Sequence, residues 1–160
     1  MASFDEHISQ VKRNLSFFKT VNSTENFFDW QATICFYCAV HLVNSRIAKE
    51  AGLHYRSHED VKNAISPYNT TSICKIDDKT NVAYLALEKI SRRARYLCSD
   101  SNSNVPEKAF LTYDKHVAKA IRHLNTIMEY FNTQYDLNFE IIKVKNVEIK
   151  SSEKLSYFNV

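Results

Sequence analysis

The chain has 160 residues, enough for one domain with a proper core, and its single Gly and two Pro leave few tight turns, which argues against β-sandwiches and Gly-rich phosphate loops. Ten Phe, nine Tyr and one Trp exclude disorder for most of it. A formal net charge of +3 with six neutral His allows an anionic partner and falls short of the basic footprint of a dedicated DNA binder.

Taken in chain order, the sequence reads as helices. Ser3 and Glu6 form a capping-box signature. Ile8, Val11, Leu15 and Phe18 follow at helical spacing, so a first helix runs to about Lys19. The polar break "TVNSTEN" leads to a second helix from near Asn26 to Ala51, stopped by Gly52. On its wheel Trp30, Ile34, Tyr37, Cys38, His41, Ser45 and Ala48 share one stripe. Phe28, Cys35, Ala39 and Leu42 lie opposite, and Phe36, Val40, Val43 and Ile47 cover a flank. A helix apolar all round is a central one, packed on several neighbours, and its polar end from Asn44 to Glu50 should emerge into solvent. Its most apolar stretch, Trp30 to Val43, is too short and too interrupted to span a membrane.

Ser57 is placed to cap a short helix, His58 to Ile65, which ends before Pro67. The stretch "SPYNTTSICKIDDKT" reads as loop. A fourth helix runs from about Lys79 to Cys98 with Ala83, Leu87, Ile90, Ala94 and Leu97 on its core face. "SDSNSN" is a loop of small polar residues, and Pro106 opens a fifth helix running to about Asn132. Its stripe is Phe110, Tyr113, Val117, Ala120, Ile121, Leu124, Ile127, Met128 and Phe131. Trp30, Tyr37, Leu87, Ala94, Ile121 and Leu124 are expected to be buried. From 136 to 160 the character changes, and "NFEIIKVKNVEIK" reads as one strand over 139 to 149, or two short ones broken at Asn146. Such a strand must fold back on itself, lie on the bundle, or pair with another chain. The expected fold is all-α, an up-and-down bundle of about five helices over 1–135, with a short C-terminal β extension.

Chemistry-bearing motifs are few. Cys35 and Cys38 sit one helical turn apart among apolar neighbours, and no second close pair completes a zinc knuckle. His54 and His58 have metal-like spacing with Asp60 nearby, but Gly52 and Ser57 put a helix break there. No nucleophile elbow, Walker loop or dinucleotide fingerprint is present, so neither metal nor cofactor is expected. "SRRARY", residues 91 to 96, is the densest cationic patch. Arg95 borders the core face, and a structural reading pairs it with Glu88 or a loop carboxylate and leaves Arg92 and Arg93 solvated. The sharper reading is a phosphate-binding face in which Arg92 and Arg95 supply bidentate contacts and Tyr96 stacks on a base. His41, on an apolar stripe, reads first as a hydrogen-bonded core residue. The polar N-terminus, "MASFDEHISQ", is unlike a secretory signal, and free Cys fit a reducing cytoplasm.

These residues resemble a family. "DWQATICFYCAVHLVNSRIAKEAGLHYRSHEDVKNAI" is similar to the long second helix and following loop of HEPN domains (higher eukaryotes and prokaryotes nucleotide-binding). "AYLALEKISRRARY" is similar to their later helix and "HISQVKRNLSFF" to their first, so the resemblance covers roughly residues 4 to 132. It implies an up-and-down helical bundle that often forms homodimers. It also implies membership among toxins, antitoxin partners, defence and RNA-processing ribonucleases, and accessory domains beside nucleotidyltransferases. The nuclease branch carries Arg, four to six residues, then His. No Arg in this chain has a His at that spacing: Arg46 reaches His54 only after seven residues, and His116 precedes Arg122.

The expected function is therefore a non-catalytic binding or interaction module for nucleotide or RNA. It would act in a toxin–antitoxin or defence setting, as a homodimer, with a protein partner encoded alongside as a further possibility. Its candidate ligand-binding residues are His41, His54, His58, Arg92, Arg95 and Tyr96. One alternative is a divergent metal-independent ribonuclease toxin using Arg92 or Arg95 with one of the three His. Another is a scaffold with no nucleic-acid role.

Overall fold

A computed structural model describes residues 2–98 and 110–160. Five helices precede a small sheet: α1 (Phe4–Ser23), α2 (Phe28–Ala51), α3 (His58–Ile65), α4 (Asp78–Tyr96), α5 (Asp114–Tyr135), β1 (Ile142–Lys143) and β2 (Phe158–Asn159). The fold is an all-α bundle with a short C-terminal β segment.

Local chemistry sets most helix ends. At α1 the Ser3 hydroxyl accepts from the Glu6 amide at 3.2 Å while the Ser3 amide donates to the Glu6 carboxylate at 2.7 Å. The Ser57 hydroxyl caps α3, and the Asp77 carboxylate caps α4 by accepting from the Thr80 amide at 2.6 Å. Gly52 closes α2 in the left-handed region, φ 63°, where a side chain would have room but would strain the backbone.

α2 is the axis of the bundle, packed by α1, α4 and α5, with α3 against it. Leu42, Val43, Ile47, Leu87, Ala94, Ile121 and Leu124 are all buried in one continuous core. Trp30 and Tyr37 are not, contrary to the sequence reading: they are 57% and 38% exposed. They line a groove between α1 and α2 and stay open to solvent there. The polar end of α2 also departs from expectation. Asn44, Ser45 and Ile47 are buried there. Arg46 is half-buried, donating to the Tyr130 hydroxyl at 3.1 Å and pairing with Glu50 at 3.1 Å, because the end of α5 packs against it.

α5 starts at Asp114, later than the sequence indicates. The Pro106 start and the "SDSNSN" loop lie outside the described residues. Phe110 to Tyr113 are not helical. The Phe110 amide donates to Leu97 carbonyl oxygen at 2.9 Å, and the Arg93 guanidinium holds the Leu111 carbonyl at 3.0 and 3.2 Å. These bonds fix the segment against the end of α4, and helical hydrogen bonding begins only beyond it.

The tail has its partner within the chain. β1 and β2 pair in parallel, Ile142 with Phe158 and Lys143 with Asn159. Only two residues of the 139–149 stretch form a ladder, while Ile142, Val144, Ile149 and Phe158 turn into the helical core. Arg122 on α5 grips the Glu153 carboxylate with two nitrogens at 2.7 Å, a bidentate pair. Buried Asn22 at the end of α1 does more. Its amide nitrogen donates to Gln31 and to the Lys145 carbonyl at 2.9 and 3.1 Å, and its oxygen accepts from the Lys145 amide at 2.7 Å. This arrangement explains why α1 runs past Lys19 to Ser23. Among the described residues no helix is long and apolar enough to cross a membrane.

Asn22→Ala leaves the Lys145 amide and carbonyl and the Gln31 side chain without that partner. A loss of about 2–3 kcal/mol in urea unfolding is expected, since orphaning buried polar groups costs ~1–3 kcal/mol each. Amide exchange at Lys145 should accelerate well before that of the α2 core.

Candidate functional site

Beside the inward stripe of α1 lies a second face carrying Gln10, Asn14 and Phe17. It looks across a groove of about 260 Å³ at Trp30, Thr33, Ile34, Tyr37 and His41 of α2. Phe17 is 53% exposed, so three aromatic side chains in this groove meet solvent. Gln10 donates to the Asn14 carbonyl oxygen at 2.8 Å, and the Thr33 hydroxyl donates to the Asp29 backbone carbonyl at 2.8 Å.

Three histidines meet at one end of the groove. His7 of α1 is only 2% exposed. Its Nδ1 lies 3.0 Å from Nδ1 of His41, and its Nε2 lies 3.2 Å from Nδ1 of His54 in the connection after α2. The His7 and His54 rings stack with centroids 5.2 Å apart, 17° from parallel. Burial holds the His7 pKa down, to about 4, helped by the neighbouring His41 and His54 and opposed by Glu6. Burial also lowers that of His41, with His54 adding to it. Burial thus favours the neutral form of His7 and His41, and each of the two contacts in the chain His41–His7–His54 fits one N–H donating to one bare ring nitrogen.

The arrangement is not a metal cage. His7 presents its two nitrogens to opposite sides, so the three rings do not aim at one point, and among the described residues no group of three His, Cys, Asp or Glu is arranged to hold an ion. His54 and His58 diverge: His58 opens α3 and packs its ring 5.2 Å from that of Phe36. Cys35 and Cys38 are fully buried, and burial pushes both thiols far up, which leaves them inert.

A second cluster gathers at the end of α4. Arg95 lies with its guanidinium 5.1 Å from the ring centroid of Tyr96, itself 65% exposed. Burial lowers the His58 pKa; Glu88 opposes this, while Arg95 and Lys62 lower it further. Of the two partners the sequence offered Arg95, Glu88 instead pairs with Lys62 of α3 at 3.7 Å. Arg93 is not a solvated cation either: besides holding the Leu111 carbonyl, it sits 5.1 Å over the Phe110 ring. Arg92 is exposed.

The six sequence candidates therefore fall into two groups. His41 and His54 come together through His7; Arg95 packs on Tyr96 and its charge reaches His58, with Arg92 on the exposed side of the same helix. The rings of Tyr37, Phe36 and His58, with successive centroids 6.0 and 5.2 Å apart, form a bridge between them. Sequence reasoning missed His7, Gln10, Asn14 and Phe17. The signal for His7 was present: it precedes Val11, Leu15 and Phe18 at spacings of four, four and three, on the inward stripe of α1. Compared with protein-family models, curated proteins and solved structures, the chain matches none of them.

The histidine chain has a pH signature. His7 folds with a pKa near 4 against 6.5 for the unfolded residue, so the unfolded chain binds more protons between those values and stability rises with pH across that window. Acidification from pH 7 to 4 should cost up to roughly 3 kcal/mol through this residue alone. In His7→Phe, whatever its absolute stability, the slope of unfolding free energy between pH 6.5 and 4 should flatten. An unchanged slope in urea melts would place the dependence on other groups.

Proposed function

We propose that the protein is a HEPN-like, non-catalytic module that binds nucleotide or RNA in the cytoplasm, as a homodimer, in a toxin–antitoxin or defence setting. The observation that carries the reading is the end of α4. An Arg95 cation and an exposed Tyr96 ring share one spot beside His58, with exposed Arg92 on the same helix. A guanidinium takes phosphate oxygens in a bidentate way, and an open aromatic ring takes a base. The homodimer and a partner encoded alongside rest on the resemblance alone, since β1 now has its own intrachain partner.

Binding is tested with a fluorescent single-stranded RNA. Arg92→Ala/Arg95→Ala should weaken it at least tenfold, with helicity intact, and lower the salt slope of log K by about 1–2, as expected for the loss of two phosphate contacts at ~0.7 per contact for single strands. Unchanged affinity would move the site elsewhere. In light scattering the protein should run at twice the 18.6 kDa chain mass; the monomer mass would remove the dimer.

One observation favours a second reading, a metal-independent ribonuclease toxin: the charge of Arg95 reaches His58, the pairing of phosphate stabiliser and proton carrier that such cleavage needs. Cleavage of an RNA pool that survives chelator and disappears in Arg95→Ala or His58→Ala would replace the non-catalytic reading.

A further inference from the structure

The α1–α2 groove pairs two chemistries that seldom occur together on an idle surface. Phe17, Trp30 and Tyr37 present large aromatic area to water in one concavity. Surface aromatics scattered singly need no explanation, but a cluster rimmed by polar groups marks a binding surface. Gln10 and Asn14 line the same groove and spend one donor and one acceptor on each other. Whichever way the two amides are turned, one keeps a free NH2 and the other a free carbonyl oxygen. The wall therefore offers a donor and an acceptor one helical turn apart, above aromatic rings. His41 adds its Nε2, since its Nδ1 is taken by His7.

A flat ring with a donor and an acceptor side by side on its edge satisfies all of these groups at once. Nucleobases have that edge, whereas apolar peptide side chains would use the rings and leave the amides unpaired. The groove, at about 260 Å³, is smaller than the ~300–1,000 Å³ of pockets for drug-sized ligands and suits a single base. We propose that this groove is a stacking slot for one nucleobase, read on its edge by Gln10 and Asn14. This rests on the nucleotide or RNA reading and assigns it a second contact, on the opposite side of the Tyr37–Phe36–His58 ring bridge from Arg95. Because every base carries an adjacent donor and acceptor, the slot should tolerate different bases and reject a sugar-phosphate chain without them.

Trp30 is the sole tryptophan of the chain and sits in the slot, so it reports occupancy directly. The full protein is titrated with hexa-adenylate and with an abasic ribose-phosphate hexamer of the same charge, following Trp30 fluorescence. Saturable quenching by the first and none by the second is expected. Gln10→Ala/Asn14→Ala should weaken the hexa-adenylate response about tenfold with an unchanged circular dichroism spectrum. Tyr37→Ala, at a half-exposed position, gives a second variant free of any folding role for the amides, and should weaken it similarly. Equal quenching by the abasic hexamer, equal quenching by N-acetylphenylalaninamide, or full affinity in both variants would overturn the slot. RNA that binds by anisotropy yet leaves Trp30 unperturbed would overturn it while the wider reading stands. The absence of any RNA binding would remove both.

Discussion

Everything in this molecule is arranged around a helix that cannot be left in water. α2 carries apolar side chains on most of its circumference, from Ala32 to Ile47. Burying each large one contributes on the order of 1.5–3 kcal/mol, so neighbours must cover it on several sides at once. α1, α4 and α5 do this, and the short α3 closes a corner. One strip is covered only in part: Trp30 and Tyr37 stay exposed, and His41 is half-buried against His7 of α1. The bundle therefore produces its groove by running out of cover along the axis it was built to bury.

That origin explains which parts of the sequence were readable. Caps are local chemistry, and Ser3 with Glu6, Ser57 and Gly52 announced their helix ends because each acts within a turn of itself. Periodicity showed correctly that Trp30, Tyr37 and His41 share a face. It could not show whether that face has a neighbour, because coverage depends on where α1 crosses. The same limit hid the burial of Asn44 and the half-burial of Arg46, whose guanidinium donates to Tyr130, 84 residues further along the chain. It also hid the tail. Nothing in "NFEIIKVK" names Phe158 as its partner or, as its anchor, Asn22, 123 residues upstream of Lys145. The start of α5 was misjudged because Arg93 and Leu97 hold Phe110 and Leu111 in an extended path, a tertiary choice over a local helical one.

The histidine chain shows how a short-range rule can link distant segments. Each neutral ring has one donor and one acceptor nitrogen, so the direction of one bond fixes the direction of the next. With His41 donating to His7 and His7 to His54, the Nε2 of His41 is a bare acceptor. Reversed, it carries a hydrogen. Both arrangements satisfy all three rings, and they differ in what the two end nitrogens offer, Nε2 of His41 toward the groove and Nε2 of His54 at the other end. α1, α2 and the α2–α3 connection thus share one hydrogen-bond polarity, set wherever the chain meets its strongest partner.

A chain with one glycine must make its turns from other residues. Among the described residues five of them, Glu25, Phe27, Leu97, Asp136 and Asn138, adopt left-handed backbone angles with φ between 47° and 57°. Asp and Asn accept this conformation readily, but for Phe27 and Leu97 it costs roughly 1–2 kcal/mol each. Both side chains are largely exposed, so little packing is bound up in keeping them. The protein accordingly stands below the stability its own backbone would support. Selection for heat tolerance would find glycine at these two helix junctions an accessible first step, reached without touching the buried core or the groove.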